Sequence, residues 1–278
     1  MTGRLILVRH GQTEANVAKR LDTALPGAKL TPEGLAQAET LGIGLASAPP
    51  LALVSSLALR ARQTAGFVEQ AAGVSLDVRD GLHEVQAGDL EDRTDEAAHR
   101  LFMETFHHWH TGNLGARIPG GETGYDVLER YVPVVNALRE EFLEGSRDGG
   151  DIVVVSHGAA IRLVAAQLAG VPGLFAANNH LANTETVELL PSVDGGWECL
   201  RWGTVNPPFE HRLIRCRRRD GLTAGFTTNR SGRSVAPEFS GQRAHVAGCQ
   251  VVGIVIHQHI SLHDAAQLRS ADAVAEVE

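Results

Sequence analysis

No apolar run in the 278 residues approaches the length needed to cross a bilayer. The few residues before Leu5 leave no room for a charged region followed by an apolar one, so no secretory leader is expected. Cysteine is scarce: Cys199, Cys216 and Cys249 are odd in number, lie in the last third and show no metal-ligand spacing. That pattern argues against a disulfide framework and suits reduced thiols in a cytoplasmic protein. Positive charge is also short, with 25 basic against 33 acidic residues and a formal net charge of −8. The chain has no general attraction for nucleic acid or an anionic membrane, and neither is expected as a partner. Any anion it binds must be held by a local cluster of arginine, which supplies nearly all of the basic residues.

What is present is ordinary globular material, 43% hydrophobic and 21% charged, long enough for one large domain or a medium domain with an appendage. Short apolar runs alternate with helix-like segments. Leu5–Val8, Leu51–Ser55 and Ile152–Val155 are continuously apolar or nearly so, as strands buried on both faces would be. Thr31, Pro32 and Glu33 form a helix start, with the threonine as N-cap. Further helices are expected over Ser56–Ala71, Tyr125–Leu143 and Ala159–Leu168, the second kinked or delayed by Pro133. Thr186–Leu190 and Trp197–Trp202 read as two strands joined by the turn VDGG. Strands alternating with helices in this way imply an α/β domain built on parallel strands. After Arg212 the chain turns basic, then polar and rich in turn formers. Residues 1–212 are expected to form the domain and 213–278 a loosely ordered extension; an oligomerisation arm or a basic docking tail is the alternative.

Two of the buried strands end alike. RLILVRHGQT runs into Arg9, His10 and Gly11, and DIVVVSHGAAIR runs into His157 and Gly158. A single histidine at a strand end is most simply a hydrogen-bonded structural residue. Two of them, emerging at one carboxyl edge of a parallel sheet, sit where open α/β sheets bind ligands. The glycine after each lets the chain turn sharply and lets an anion approach the backbone. An imidazole nitrogen can attack phosphorus while arginine holds the equatorial oxygens, so the pair suits phosphoryl transfer. Nearby arginine also disfavours the protonated imidazole, which a nucleophile requires.

The octad RHGQTEAN resembles the signature of the histidine phosphatase superfamily, in its phosphoglycerate mutase-like branch. SSLALRARQTA, LHEVQAGDLED, PGGET and VVVSHGAAIR follow in the family's order, so the resemblance spans roughly residues 4 to 205. It implies a three-layer α/β/α fold with a mostly parallel central sheet. It makes His10 the nucleophile, Glu84 the proton donor, and Arg9, Arg60 and His157 the groups around the phosphoryl oxygens. Asn16 matches a position that touches the phosphate, and Gln12 and Thr13 belong to the same phosphate-binding loop. The activity implied is hydrolysis of a small phosphorylated metabolite, without metal or other cofactor; a homodimer is left open.

A cofactor-dependent phosphoglycerate mutase and a non-catalytic phosphate-ligand-binding protein on the same fold are the alternatives. Against the mutase, TALPGAKL stands where a Gly-Trp-Tyr-Asp segment is usual, and EDRTDEAAHR replaces the usual aromatic, basic stretch after the acid. Within FHHWHTGN, the spacing of His107, His108 and His110 does not put them on one helix face, so a metal site is not expected. Phe106 and Trp109 are expected to pack or to touch substrate in a variable insert over the pocket. Arg62 and Arg162 are as well explained by a helix surface as by the site.

Overall fold

The computed structural model describes residues 3–144 and 149–209. The extension expected over 213–278 lies outside them, as do Cys216 and Cys249. In chain order the elements are β1 (Leu5–Arg9), α1 (Glu14–Val17), α2 (Pro32–Ala46), β2 (Ala52–Ser55), α3 (Leu59–Ala72), β3 (Leu76–Val78), α4 (Glu96–His110), α5 (Gly124–Leu138), β4 (Ile152–Ser156), α6 (Gly158–Ala169), α7 (Gly173–Asn178), β5 (Thr186–Pro191) and β6 (Trp197–Trp202). They form the expected α/β fold with a central sheet of six strands, ordered β3-β2-β4-β1-β5-β6. The first four strands in that order are parallel, while β5 and β6 form an antiparallel hairpin beside β1.

The unalternated apolar runs explain the layers. Ile6 and Val8 of β1 pack with Val153 and Val155 of β4 against Ala61, Ala65 and Val68 of α3. Leu5, Leu7, Ile152 and Val154 point the other way, into the larger core shared with α4, α5, α6 and α7. Each central strand is thus covered on both faces, which is why its sequence shows no polar alternation.

Local chemistry sets the element ends. Thr31 Oγ1 accepts from Gly34 N and caps α2. α3 begins at Leu59 and not at Ser56, because Ser56 N still donates to Val155 O in the sheet. It stops at Gly73, whose φ of 69° closes the helix in the left-handed region. Thr123 and Asp126 form a reciprocal capping box that starts α5 at Gly124, and the helix runs through Pro133. A π turn over Arg139–Leu143 completes the span expected for that helix. Strand β3 and helices α4 and α7 were not legible as elements; β3 is only three residues long and partly exposed.

The loop after His10 is fixed by backbone packed on backbone. Thr31 N donates to Gln12 O at 2.9 Å. A Cβ on Gly34 would lie 2.0 Å from that same oxygen, and one on Gly11 would lie 2.6 Å from Gly34 O. Gly34→Ala should therefore displace the loop carrying His10. It should destabilise the protein by about 1–3 kcal/mol, read as a lower Tm, and reduce turnover in parallel. Unchanged melting and turnover would show that the contact does not set the loop.

Candidate active site

Strands β1 and β4 pair with Arg9 opposite Ser156, so the next residues, His10 and His157, stand side by side. Their rings meet edge to face with centroids 5.2 Å apart. His10 Nδ1 lies 2.7 Å from the Gly11 carbonyl oxygen. A carbonyl can only accept, so this contact assigns the proton to Nδ1 and leaves the lone pair on Nε2. Arg60, in the first turn of α3, donates from Nε to that nitrogen at 3.2 Å and to His157 Nδ1 at 3.3 Å. His157 must then carry its proton on Nε2, which meets Ser56 Oγ at 2.7 Å. Burial, reinforced by Arg60, pushes both imidazoles well below the usual histidine range. The arginines act in the direction expected from the sequence, but burial is the larger cause.

Arg60 is itself held. Its Nη1 donates to Asp22 Oδ2 at 3.2 Å, and Asp22 also accepts from Ala28 N. Gly27, with φ of 73°, makes room for it, since a Cβ there would lie 2.2 Å from Arg60 Nη1. Arg9 donates to the Leu181 carbonyl. Thr13 and Asn16 cap α1 reciprocally, each side chain accepting from the other's backbone N–H. Asn16 Oδ1 also meets Asn183 Nδ2, which donates to His10 O as well.

Glu84 approaches from a loop before α4. Its Oε1 accepts from Val85 N and Ala160 N, each at 2.9 Å, and its Oε2 from Ala159 N at 3.2 Å. The carboxylate is therefore seated on the N-terminus of α6, where unpaired backbone N–H groups favour negative charge. The loop is clamped by Arg130, which donates to the carbonyls of Gly81, His83 and Glu84. Glu122, from PGGET, fixes the same guanidinium through both of its oxygens.

His10, Arg9, Arg60, Asn16, Thr13 and Glu84 all line one cavity of about 730 Å³. His157 is buried beneath it. Gln12 does not line it; its side chain accepts from Thr31 Oγ1 and ties the loop to α2. Sequence reasoning missed Asp22, Arg130 and the wall formed by His99, Phe102 and Met103 of α4. It also left Arg162 undecided, and the helix-surface alternative is wrong for that residue: it is 4% exposed and lines the cavity. The one signal was its spacing, four residues after Gly158 and so on the face of α6 that looks along the strand-end turn. Arg62 is exposed.

In the FHHWHTGN segment, Phe106 and Trp109 are core residues and neither lines the cavity. His107 and His108 are exposed while His110 is buried. Among the described residues, no group of histidine, cysteine and carboxylate could hold a metal ion. No described helix is long and apolar enough to cross a membrane.

Residues 5–205 match the family model of the histidine phosphatase superfamily, branch 1. The chain belongs to that superfamily. It is 35% identical over 179 residues to a glucosyl-3-phosphoglycerate phosphatase of Mycolicibacterium vanbaalenii, covering 61% of this chain and 75% of the relative. An adenosylcobalamin/alpha-ribazole phosphatase of Salmonella typhimurium is 33% identical over 172 residues, covering 61% and 81%. A solved mycobacterial glucosyl-3-phosphoglycerate phosphatase in complex with VO3 superposes with a TM-score of 0.63 at 28% identity, covering 73% of this chain and all of the other. With phosphatases among its relatives, this histidine phosphatase is a phosphoric monoester hydrolase.

One buried histidine of the new phosphatase has a measurable cost. Among the described residues neither ring nitrogen of His110 has a hydrogen-bond partner, and burial, with Arg162 nearby, lowers its pKa from 6.5 to about 4. Above pH 6.5 the group is neutral folded or unfolded. Below that, the unfolded chain takes up a proton that the folded one refuses, so stability falls as pH drops towards about 4. Replacing His110 with Leu should remove up to roughly 3 kcal/mol of that acid loss. Denaturant titrations of both proteins at pH 7 and pH 4.5 measure it; equal acid losses would mean that His110 titrates normally.

Proposed function

We propose that the protein hydrolyses a small phosphorylated metabolite through a covalent phosphohistidine on His10. The observation that carries this reading is the fixed tautomer of His10: Nδ1 faces a carbonyl, and Nε2 is the free base beside Arg60 at the cavity. In the first step Nε2 attacks phosphorus and the ester P–O bond breaks, with its electron pair going to the leaving oxygen. Glu84 delivers a proton to that oxygen. Arg9, Arg60 and the amide of Asn16 hold the phosphoryl oxygens and balance the charge spread over them, while His157, bonded through Nε2 to Ser56 and through Nδ1 to Arg60, orients that guanidinium. Thr13 and Gln12 shape the loop through the cap of α1 and the tie to α2. In the second step Glu84 takes a proton from water, the water oxygen bonds to phosphorus, and the P–N bond breaks. Inorganic phosphate and the neutral imidazole remain. A chain of arginines with a buried nucleophile supplies this chemistry without a metal, so a chelator should leave turnover intact.

His10→Ala should abolish turnover, and wild-type protein quenched during turnover should carry acid-labile, alkali-stable phosphate on His10. Near-normal activity in the variant would remove the mechanism.

Glu84→Gln should lose about 10²–10⁴ in kcat on an alkyl phosphate, whose leaving group needs the proton. An aryl phosphate, whose leaving group is a weaker base, should lose much less in the phosphorylation step. Equal losses on both would count against Glu84 as the donor.

A further inference from the structure

Arg162 is a buried cation that the phosphoryl chemistry leaves unused. Its Nε donates to Gly158 O at 3.2 Å and its Nη1 to Ala177 O at 2.8 Å, so α6 and α7 hold it from two sides. The Phe106 ring of α4 lies against its face, 4.4 Å from guanidinium carbon to ring centroid. Among the described residues, Nη2 has no hydrogen-bond partner and the guanidinium forms no ion pair. Arg60 has Asp22 and Arg130 has Glu122 as ion-pair partners; Arg9 shares the lack of an ion pair, but it stands beside His10 and is taken up by the phosphoryl chemistry. The histidines beside Arg162, His110 and His180, are both lowered to about 4 by burial and nearby positive charge, so they are neutral and offer no counter-charge. Burial lowers Arg162 itself to about 10 against the opposing attraction of the Glu84 carboxylate, with which it forms no ion pair, and the group stays charged at neutral pH. A buried charge without a partner is costly, whereas one that meets an oxyanion on binding recovers that cost.

Its position says which part of a substrate it would meet. Arg60 reaches the cavity from α3 on one face of the sheet, and Arg162 from α6 on the other. Glu84 sits on the N-terminus of α6 as well. If the carboxyl group protonates the leaving oxygen, the alcohol part of the ester lies on the α6 side, beside Arg162. The cavity, about 730 Å³, has room there beyond a phosphoryl group. One free amino end of one guanidinium balances a single negative charge; a second phosphate dianion would be left undercompensated.

We propose that Arg162 is a specificity residue, its Nη2 forming a subsite for a carboxylate on the alcohol part of the substrate. The proposal rests on the phosphatase reading with Glu84 as proton donor. Two esters of the same length separate the terms: 3-phosphoglycerate carries the carboxylate, and glycerol 3-phosphate has a hydroxymethyl group in its place. p-Nitrophenyl phosphate reports the phosphoryl chemistry alone.

Wild-type protein should prefer 3-phosphoglycerate over glycerol 3-phosphate in kcat/KM by about 10- to 100-fold, the worth of one charge-assisted contact. Arg162→Gln should collapse that ratio to within about threefold, chiefly by raising KM for 3-phosphoglycerate. Arg162→Lys, which keeps the charge but loses the fork, should give an intermediate ratio. Equal losses on both esters would make Arg162 structural or part of the phosphoryl cradle, and would overturn the subsite. So would a wild-type ratio near one, a result that needs no variant to fold. Hydrolysis of p-nitrophenyl phosphate alongside such a ratio leaves the phosphatase reading standing, whereas no hydrolysis of any of the three esters removes both.

Discussion

The site depends on a single N–H. Arg60 Nε faces two imidazole nitrogens at once, 3.2 Å from His10 and 3.3 Å from His157. A donor between two acceptors requires both nitrogens to be unprotonated, and the outer contacts to Gly11 O and Ser56 Oγ complete each tautomer. The cation thereby also keeps both rings neutral, working in the same direction as burial. None of this works unless β1 and β4 are adjacent, parallel and in register, since a slip of one residue would turn one imidazole to the opposite face of the sheet. Sheet pairing, tautomer and the availability of the His10 Nε2 lone pair are therefore one constraint.

The proposed proton donor is organised differently. Glu84 sits on a loop, which by itself would be mobile, so its position is imposed from both ends. The carboxylate is pinned by the N-terminus of α6, and the loop backbone by the fork of Arg130 with Glu122 behind it. Every donor and acceptor in that clamp is matched, which is the condition under which a buried polar network rigidifies a site instead of weakening it. His10 is held by regular structure, and Glu84 by the backbone amides of α6 together with the Arg130–Glu122 side chains.

That division explains what could be read in the sequence. The strand ends were legible because apolar runs of four or five residues terminating in Arg-His-Gly and Ser-His-Gly are rare and mark buried parallel strands. Glu84 was legible only through its resemblance to a family motif, since a carboxylate in a loop has no periodicity of its own. The two clamps were not legible. Asp22 and Arg60 lie 38 residues apart, and Glu122 and Arg130 eight apart across a turn and a helix. Such pairs are made by tertiary placement and leave no local pattern. Arg162 was ambiguous for a related reason: an arginine on an amphipathic helix is ordinarily solvated, and only the arrival of α4 and α7 buries this one. Gln12 differs again: the motif put it in the phosphate-binding loop, and its side chain accepts from Thr31 Oγ1 without lining the cavity, a contact that no local pattern announces.

Charge within the cavity is opposite in sign to charge on the whole molecule. Arg9, Lys19, Arg20, Arg60 and Arg162 line it against Asp22 and Glu84, in a chain whose formal net charge is −8. At physiological ionic strength exposed charges are screened over about 8 Å, so the excess acid of the outer surface exerts little force on a ligand already in the cavity. The deeply buried guanidiniums of Arg60 and Arg162 are screened far less. Selection of an anion must therefore rest on short contacts with oriented forks, not on long-range attraction. Arg60 has its plane fixed by Asp22 and two imidazoles, Arg162 by Phe106 and the backbone of two helices. Forks already immobilised before binding lose little side-chain entropy when an oxyanion arrives. A protein with no general affinity for anions can hold one tightly on those terms.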